Sequence, residues 1–195
     1  AHYGFLATET FFASEGTYDF AVTQWGPQDI RIVLAPPTAT GLTVQKGSKY
    51  ADGHMLKGAR IGYVKGNPSV NVKTDALLAY AGLSRDDIKA VWFGGYGVMK
   101  GARLTGKIDG FLMSPYSGIT RELESSPDGI DWVQFDPADK EGWARINKIA
   151  PMYAPLSIDD GAGMEKGKPV NIIGFRYPMM VTYASRSEAE VYEVA

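Results

Sequence analysis

The pattern of hydrophobic and polar positions is clearest between Leu56 and Met113. Short apolar runs there predict strands, and Gly and Pro separate them from stretches whose apolar residues recur at helical spacing. The resulting order is strand, helix, strand, helix, strand. The strands are predicted at residues 59–64, 90–93 and 108–113, one helix between Ser69 and Gly82, and the other at residues 98–105.

This order predicts a parallel sheet with right-handed crossovers. Ser69 or Asn71 can cap the first helix, and Gly82 stands where a helix ends. Residues 84–87, Ser-Arg-Asp-Asp, match a capping box before the next strand. Ligands of parallel sheets bind beyond the carboxyl ends of the strands. Those ends correspond to residues 65–71, 93–97 and 113–118.

The flanking sequence is also predicted to be α/β. A capping box at Ser185–Glu188 starts a helix that stops at Ala195 after little more than two turns, and the chain opens directly on an apolar strand. We therefore expect a chain that is incomplete at both ends. Further strands are predicted at residues 3–7, 30–35, 41–45, 132–135, 170–174 and 179–183, and a helix at residues 138–149.

Composition excludes several classes of function. The 195 residues are 45% hydrophobic and carry 20 Lys+Arg against 22 Asp+Glu with no basic run, which disfavours nucleic acid and anionic lipid as partners. No stretch reaches the ~18 apolar residues of a membrane helix. The chain has no Cys, and His2 and His54 are far apart in sequence, so we expect neither a metal site nor another cofactor.

The connection at residues 65–71 carries the strongest candidate chemistry. Gly66 and Pro68 keep side chains out of the way, while Ser69, Asn71 and the first free N–H groups of the next helix face the strand end. This arrangement can hold a carboxylate without a full positive charge. An ordinary helix cap explains the same residues equally well.

The other two connections at this edge are less specific. Residues 94–97, Gly-Gly-Tyr-Gly, fit a tight strand-to-helix turn, and an anion contact is the alternative. Ser114 and Ser117 lack the Gly-x-Ser-x-Gly elbow of a nucleophile. We therefore expect their loop to offer hydroxyl groups to a ligand and to perform no catalysis.

Short stretches spread over nearly the whole chain carry a family likeness. They are Leu-Lys-Gly-Ala-Arg-Ile-Gly at 56–62, Gly-Asn-Pro-Ser at 66–69, Tyr-Ala-Gly-Leu-Ser-Arg-Asp-Asp-Ile-Lys at 80–89, Gly-Lys-Ile-Asp-Gly-Phe at 106–111, Pro-Met-Tyr-Ala-Pro at 151–155, Ile-Ile-Gly-Phe at 172–175 and Ala-Glu-Val-Tyr at 189–192. Together they resemble the TAXI family, the extracytoplasmic solute-binding proteins of tripartite ATP-independent periplasmic (TRAP) transporters.

The resemblance implies an α/β fold of the periplasmic binding protein-like II class, with two α/β lobes joined by a hinge and the first lobe only partly present. It assigns residues 1–50 to part of lobe 1, residues 51–169 to lobe 2 and residues 170–195 to the return to lobe 1. It also implies a periplasmic or extracytoplasmic receptor that is not an enzyme. Such a receptor captures a small organic acid or amino acid and docks on the membrane components of a TRAP transporter.

Ligand contacts follow from the resemblance by position. Residues 66–71 depart from the Gly-Ser-Gly-Thr that is usual in the family, and Arg176 replaces a residue that tends to be Pro. An Arg at this place can pair with a ligand carboxylate. The implied contact residues are Thr8, Glu9, Pro36, Gly66, Asn67, Ser69, Val70, Asn71, Ser114, Tyr116, Arg176 and Tyr177.

Two other functions are compatible with such a fold. An enzyme of the kind related to pyrimidine-precursor synthesis would need a cleft His or Cys, which the lack of Cys and the placing of both His disfavour. A ligand-sensing domain of a signalling protein stays open. The sequence flanking the chain would distinguish these functions.

Overall fold

The computed structural model describes residues 2–17 and 26–195. The chain forms two compact units: a terminal unit of residues 1–38 and 175–195, and a central unit of residues 39–174. It passes between them after Thr38 and after Gly174, whereas the lobe boundaries expected from the sequence lie after residues 50 and 169. The assignment of these units to lobes stays a prediction.

The described chain contains both helices and strands, and they alternate over residues 60–149. In order they are β1 (Gly4–Leu6), α1 (Glu9–Glu15), β2 (Ile30–Leu34), β3 (Pro37–Val44), β4 (Arg60–Val64), α2 (Pro68–Tyr80), β5 (Lys89–Phe93), α3 (Tyr96–Leu104), β6 (Gly110–Met113), α4 (Gly118–Glu124), β7 (Asp131–Trp132), α5 (Lys140–Ile149), β8 (Ala154–Ile158), β9 (Val170–Arg176), β10 (Met179–Tyr183) and α6 (Glu188–Tyr192). Short 3₁₀ turns lie at Lys49–Ala51, Gly53–Met55 and Arg85–Asp87.

The central unit is built on a sheet with the strand order β5-β4-β6-β3-β9-β8, and β7 pairs with β3. β4 runs parallel to both β5 and β6, while β3 is antiparallel to β6 and β8 is antiparallel to β9. The predicted parallel β-α-β-α-β segment is therefore confirmed as β4-α2-β5-α3-β6. Right-handed crossovers place α2 and α3 on opposite faces of this sheet.

Two glycines allow the close packing of this sheet. A Cβ on Gly110 in β6 would lie 2.4 Å from the backbone oxygen of Thr43, and a Cβ on Gly62 in β4 would lie 2.8 Å from Sδ of Met99 in α3. A side chain at either position would collide with its neighbour, so strand and helix approach more closely than they could with any other residue there.

The N-terminus of α2 differs from the sequence expectation. The expected caps, Ser69 and Asn71, lie inside the helix, which begins at Pro68. Asn67 is the N-cap, and its Oδ1 accepts a hydrogen bond from the backbone N–H of Val70 at 3.2 Å. Pro suits the first helical position because it has no N–H that would need a partner.

The first residues of α3 and α6 also differ from those expected from the sequence. α3 begins at Tyr96 and not at Val98, because the Gly-rich turn continues directly into the first turn of the helix. Ser185 and Ser187 both have a Glu three residues later, so the pattern alone does not separate them. In the structure Ser187 caps α6, and its reciprocal partner is Glu190. The capping box predicted at residues 84–87 is confirmed.

The terminal unit holds a separate antiparallel sheet with the order β1-β10-β2. Strands were predicted at all three places, whereas α1 carries no clear periodic pattern and was not expected. Phe5, Ile32 and Leu34 are each more than half exposed on this sheet. Among the residues that the structure describes, no helix has the length and apolar character needed to cross a membrane.

Candidate functional site

The strand order of the central unit places a topological switch between β4 and β6. The chain leaves β4 through α2 to reach β5 on one side, and then returns through α3 to β6 on the other side. In open parallel sheets, ligands bind in the crevice outside the carboxyl ends of the strands at such a point. The loops at this crevice are residues 65–67 after β4 and residues 114–117 after β6.

The loop after β4 turns sharply into the N-terminus of α2. Gly66 has φ +70°, a left-handed conformation that favours glycine, and nothing lies within 4 Å of its Cβ position. On the β5 side, the N–H of Lys65 donates to the oxygen of Phe93 at 2.8 Å. Pro68 has no N–H, and the N–H groups of Val70 and Asn71 donate to Oδ1 and to the backbone oxygen of Asn67. In the first turn of α2, the N–H of Ser69 is therefore left without an intrahelical acceptor.

Asn71 is occupied within the protein. Its Oδ1 accepts from the N–H of Val64 at 3.0 Å, and its Nδ2 donates to the oxygen of Val64 at 2.9 Å. The residue is 6% exposed. Both polar groups of this predicted contact residue are therefore bonded to the end of β4.

Unlike the side chain of Asn71, the hydroxyl of Ser69 makes no hydrogen bond among the described residues. Its Oγ is buried and has no hydrogen-bond partner within residues 2–17 and 26–195. Buried hydroxyl groups are almost always hydrogen-bonded, and each exception calls for an explanation. At the second position of α2, beside the crevice, Ser69 carries a hydrogen-bonding capacity that this structure leaves unused.

The loop after β6 is held by its own hydrogen bonds. Ser114 Oγ accepts from the N–H of Tyr116 at 3.3 Å, and Ser117 caps α4 by accepting from the N–H of Thr120 at 3.2 Å. The hydroxyl of Tyr116 donates to Oδ1 of Asp160 at 3.2 Å, while its ring is 46% exposed. Partial burial and the Asp160 charge raise the pKa of Tyr116.

The turn between β5 and α3 adds a second helix N-terminus at the same edge. Among the described residues no side chain caps α3, whose N-cap position is occupied by Gly95. The Cβ positions of Gly94, Gly95 and Gly97 have nothing within 4 Å. With α2, whose N-cap is Asn67, this end of the sheet presents two helix N-termini, whose dipoles favour negative charge.

The remaining predicted contacts lie in the terminal unit. Thr8 is fully buried, and Oε2 of Glu9 is buried without a hydrogen-bond partner among the described residues. The oxygen of Pro36 accepts from the N–H of Tyr177 at 3.0 Å. Arg176 Nη1 donates to the oxygen of Ala35 at 3.2 Å. Pro36, Arg176 and Tyr177 therefore lie close together, while a ligand role for any of them stays a prediction.

The structure also contains a polar cavity that the sequence does not predict. It measures about 420 Å³ and lies in the central unit at the C-terminal end of α2. The crevice lies at the other end of this helix. His54 Nε2 lies 3.1 Å from Oδ2 of Asp139, and the rings of His54 and Tyr80 are 4.8 Å apart. Burial, followed by the contact with Asp139, raises the pKa of Tyr80 to about 12.

Sequence reasoning interpreted the carboxylates of this region as turn and cap residues. That interpretation is correct for Asp139, whose Oδ1 accepts from the N–H of Gly142 at the start of α5. The proximity of His54 had no signal in the sequence, because the two residues are 85 positions apart. Across the described part of the chain, no group of three or more His, Cys, Asp or Glu could hold a metal ion.

Known proteins share this fold. The family model described as NMT1/THI5 like matches residues 31–141. The periplasmic aliphatic sulphonate binding protein SsuA of Escherichia coli is 15% identical, with a TM-score of 0.57 over 100% of this chain and 52% of that one. The alkanesulfonate-binding SsuA of Xanthomonas axonopodis pv. citri, bound to MOPS, is 14% identical, with a TM-score of 0.51 over 99% of this chain and 52% of that one. No curated protein matches the chain.

A further solved structure, described as an ABC transporter/periplasmic binding protein from Brucella ovis with glutathione bound, is 12% identical. Its TM-score is 0.50 over 97% of this chain and 50% of that one. The chain thus spans about half the length of these solved proteins. At these identities the likeness shows the fold, and the predicted periplasmic-binding-protein-like α/β fold is confirmed. Because the family model covers more than half of the residues, the chain belongs to the NMT1/THI5-like family.

Proposed function

We propose that this chain is part of an extracytoplasmic, periplasmic solute-binding receptor of a transporter. The observation that carries the proposal is the hydroxyl of Ser69, buried with no partner in the described part of the chain and lying near two helix N-termini at a topological switch point. A small ligand at this point would meet backbone N–H groups and a hydroxyl donor.

The chemistry of this edge favours an acidic solute. The N-terminal ends of α2 and α3 carry partial positive charge, and Lys65 is exposed next to them. We therefore propose a small organic acid or amino acid as the solute. The solved proteins of similar fold are described with sulphonates and glutathione, and both of these ligands carry acidic groups.

A thermal-shift screen of the full-length protein tests this proposal. L-glutamate, succinate and ethanesulfonate serve as acidic probes, with glucose and adenosine as neutral controls. An acid at 100 times its Kd adds about 2.7 kcal/mol to the free energy of unfolding, which corresponds to roughly 5–10 °C in Tm for a unit of about 150–250 residues. Stabilisation by the neutral compounds alone would overturn the proposal of an acidic solute.

Arg176 is proposed to pair with an acidic group of the solute. Its side chain is exposed and donates to one backbone oxygen in the structure. Isothermal titration of Arg176→Ala with the acid found in the screen tests the role, and Arg31→Ala, an exposed Arg of β2, is the matched control. We expect weaker binding in the first variant only. Unchanged affinity in Arg176→Ala would exclude the pairing.

For the membrane partner, we propose the TRAP class and, with it, the TAXI family of receptors. The support is the sequence resemblance at residues 56–62, 80–89 and 106–111. A TRAP transporter is a secondary transporter, so uptake into proteoliposomes should follow an ion gradient and persist without ATP. Uptake that stops on ATP removal, and that is indifferent to the ion gradient, would assign the receptor to the ABC class instead.

The proposed receptor performs no chemistry on its solute. The chain contains no Cys, and the His54 ring nitrogen is paired with Asp139 at the edge of the sheet away from the crevice. Capture and release require only hydrogen bonds and charge. Recovery of the unmodified solute after incubation with the protein is the expected result, and a converted product would contradict it.

A further inference from the structure

The end of β4 has an unusual hydrogen-bond partner on its β6 side. In a parallel strand, the backbone groups of alternate residues face alternate neighbours. Arg60 accepts from Asp109 on the β6 side at 2.8 Å, and Lys65 donates to Phe93 on the β5 side. Val64 therefore directs its N–H and C=O towards β6.

The pairing of β4 with β6 nevertheless ends early. The paired residues are Ile61 with Gly110 and Gly62 with Phe111. Pairing with β5 continues to Val64 and Phe93. The two strands thus separate at the topological switch, where the proposed ligand crevice lies.

The carboxamide of Asn71 fills the vacated place. It gives Val64 one acceptor at 3.0 Å and one donor at 2.9 Å, which are the two bonds that a continuing neighbour strand would supply. The side chain reaches Val64 from the first turn of α2, so the same two bonds tie this turn to the end of β4.

We infer that Asn71 is a positioning residue of the ligand site, which keeps β4 and β6 apart at the crevice and fixes Ser69 and Val70 relative to the strand end. The inference deepens the proposed function and rests on it. Asn71 acts through the residues of its turn, because both polar groups of its side chain are engaged with Val64. Its replacement should weaken solute binding without removing a ligand contact.

Asn71→Asp in the full-length protein provides the test. A protonated Asp has the shape of Asn and keeps one donor and one acceptor, whereas an ionised Asp has no donor and places its charge against the Val64 oxygen. Burial raises the pKa of such a carboxyl, so the variant changes state at mildly acidic pH. L-glutamate is the probe, and its affinity relative to that of the wild type is measured at pH 7 and at pH 5.

We expect Asn71→Asp to bind L-glutamate about 10-fold more weakly than the wild type at pH 7, which is about the contribution of one hydrogen bond. At pH 5 the variant should recover most of this affinity. Amide hydrogen exchange, corrected for intrinsic rates, should show faster exchange at residues 64–70 at pH 7 only. Asn147→Asp is the matched control. Its Nδ2 donates to the Tyr153 oxygen at the far end of α5, and it should bind like the wild type at both pH values.

Three results would overturn the inference. The first two concern affinity: equal affinity in the two Asp variants at both pH values, or a loss in Asn71→Asp that does not recover at pH 5. The third is hydrogen exchange that is unchanged at residues 64–70. Failure of the wild type to bind L-glutamate bears on the proposed solute instead. In that case the exchange data still decide whether Asn71 fixes the turn.

Discussion

Replacing Ser69 with Ala separates a role in stability from a role in binding. The hydroxyl is buried without a partner among the residues that the structure describes. In the ligand-free protein it therefore has an unfavourable environment. If the hydroxyl is reserved for a solute, its removal should stabilise the free protein and weaken the complex.

The two effects have different magnitudes. An unsatisfied buried polar group costs about 1–3 kcal/mol, so we expect Ser69→Ala to raise the free energy of unfolding by about 1 kcal/mol, or roughly 2–4 °C in Tm. A hydrogen bond to a charged acceptor contributes about 1.5–3 kcal/mol. Losing it would weaken the binding of an acidic solute by about 10- to 100-fold.

Differential scanning calorimetry without solute and isothermal titration with it measure both effects on the same samples. Ser125→Ala is the matched control, since its Oγ donates to the Arg121 oxygen at the end of α4 and its loss should leave affinity unchanged. A Ser69→Ala protein that is less stable than the wild type and that binds the solute equally well would refute the reasoning.

The other predictions concern the sheet. Gly110→Ala should lower the free energy of unfolding by about 1–3 kcal/mol, because its Cβ would lie 2.4 Å from the Thr43 oxygen; a wild-type midpoint in urea would contradict this. Gly101→Ala has open space within α3 and should raise that free energy by about 0.5–1 kcal/mol in the same assay. Burial raises the pKa of Asp109, but the hydrogen bonds and charge of Arg60 outweigh it and lower the pKa overall. Asp109→Asn should therefore cost about 2 kcal/mol at pH 7, and the difference from wild type should shrink as pH falls below the ordinary value of about 3.9; a difference that does not change with pH would refute the ion pair.

Hydrophobic periodicity located the parallel part of the central sheet, because its strands are short apolar runs between Gly-rich turns. It missed β8, α1 and α4 for physical reasons. β8 contains Pro155 and is an edge strand of the sheet with three of its five residues exposed, so its pattern is weak. α1 and α4 have seven residues each, too few for helical spacing to show.

The position of the candidate site could be predicted from the sequence, but the hydrogen bonding within it could not. Strand order places residues 65–71 at the ligand edge, and this much follows from the pattern alone. Which polar groups in that loop are free depends on three-dimensional hydrogen bonding. Ser69 and Asn71 looked equivalent in the sequence, yet Asn71 is bonded to Val64 while Ser69 Oγ has no partner among the described residues.

The order of strands in the terminal unit bears on how the protein folds during synthesis. β10 is the central strand of that sheet, and within the described residues both β1 and β2 pair with it. β1 and β2 end before residue 35, whereas β10, the strand with which both pair, is synthesised almost 150 residues later. The central unit, a continuous stretch of chain, can fold first, while the exposed strands β1 and β2 wait. Early termination after Gly174 should therefore yield a folded central unit with an unpaired, aggregation-prone N-terminal segment.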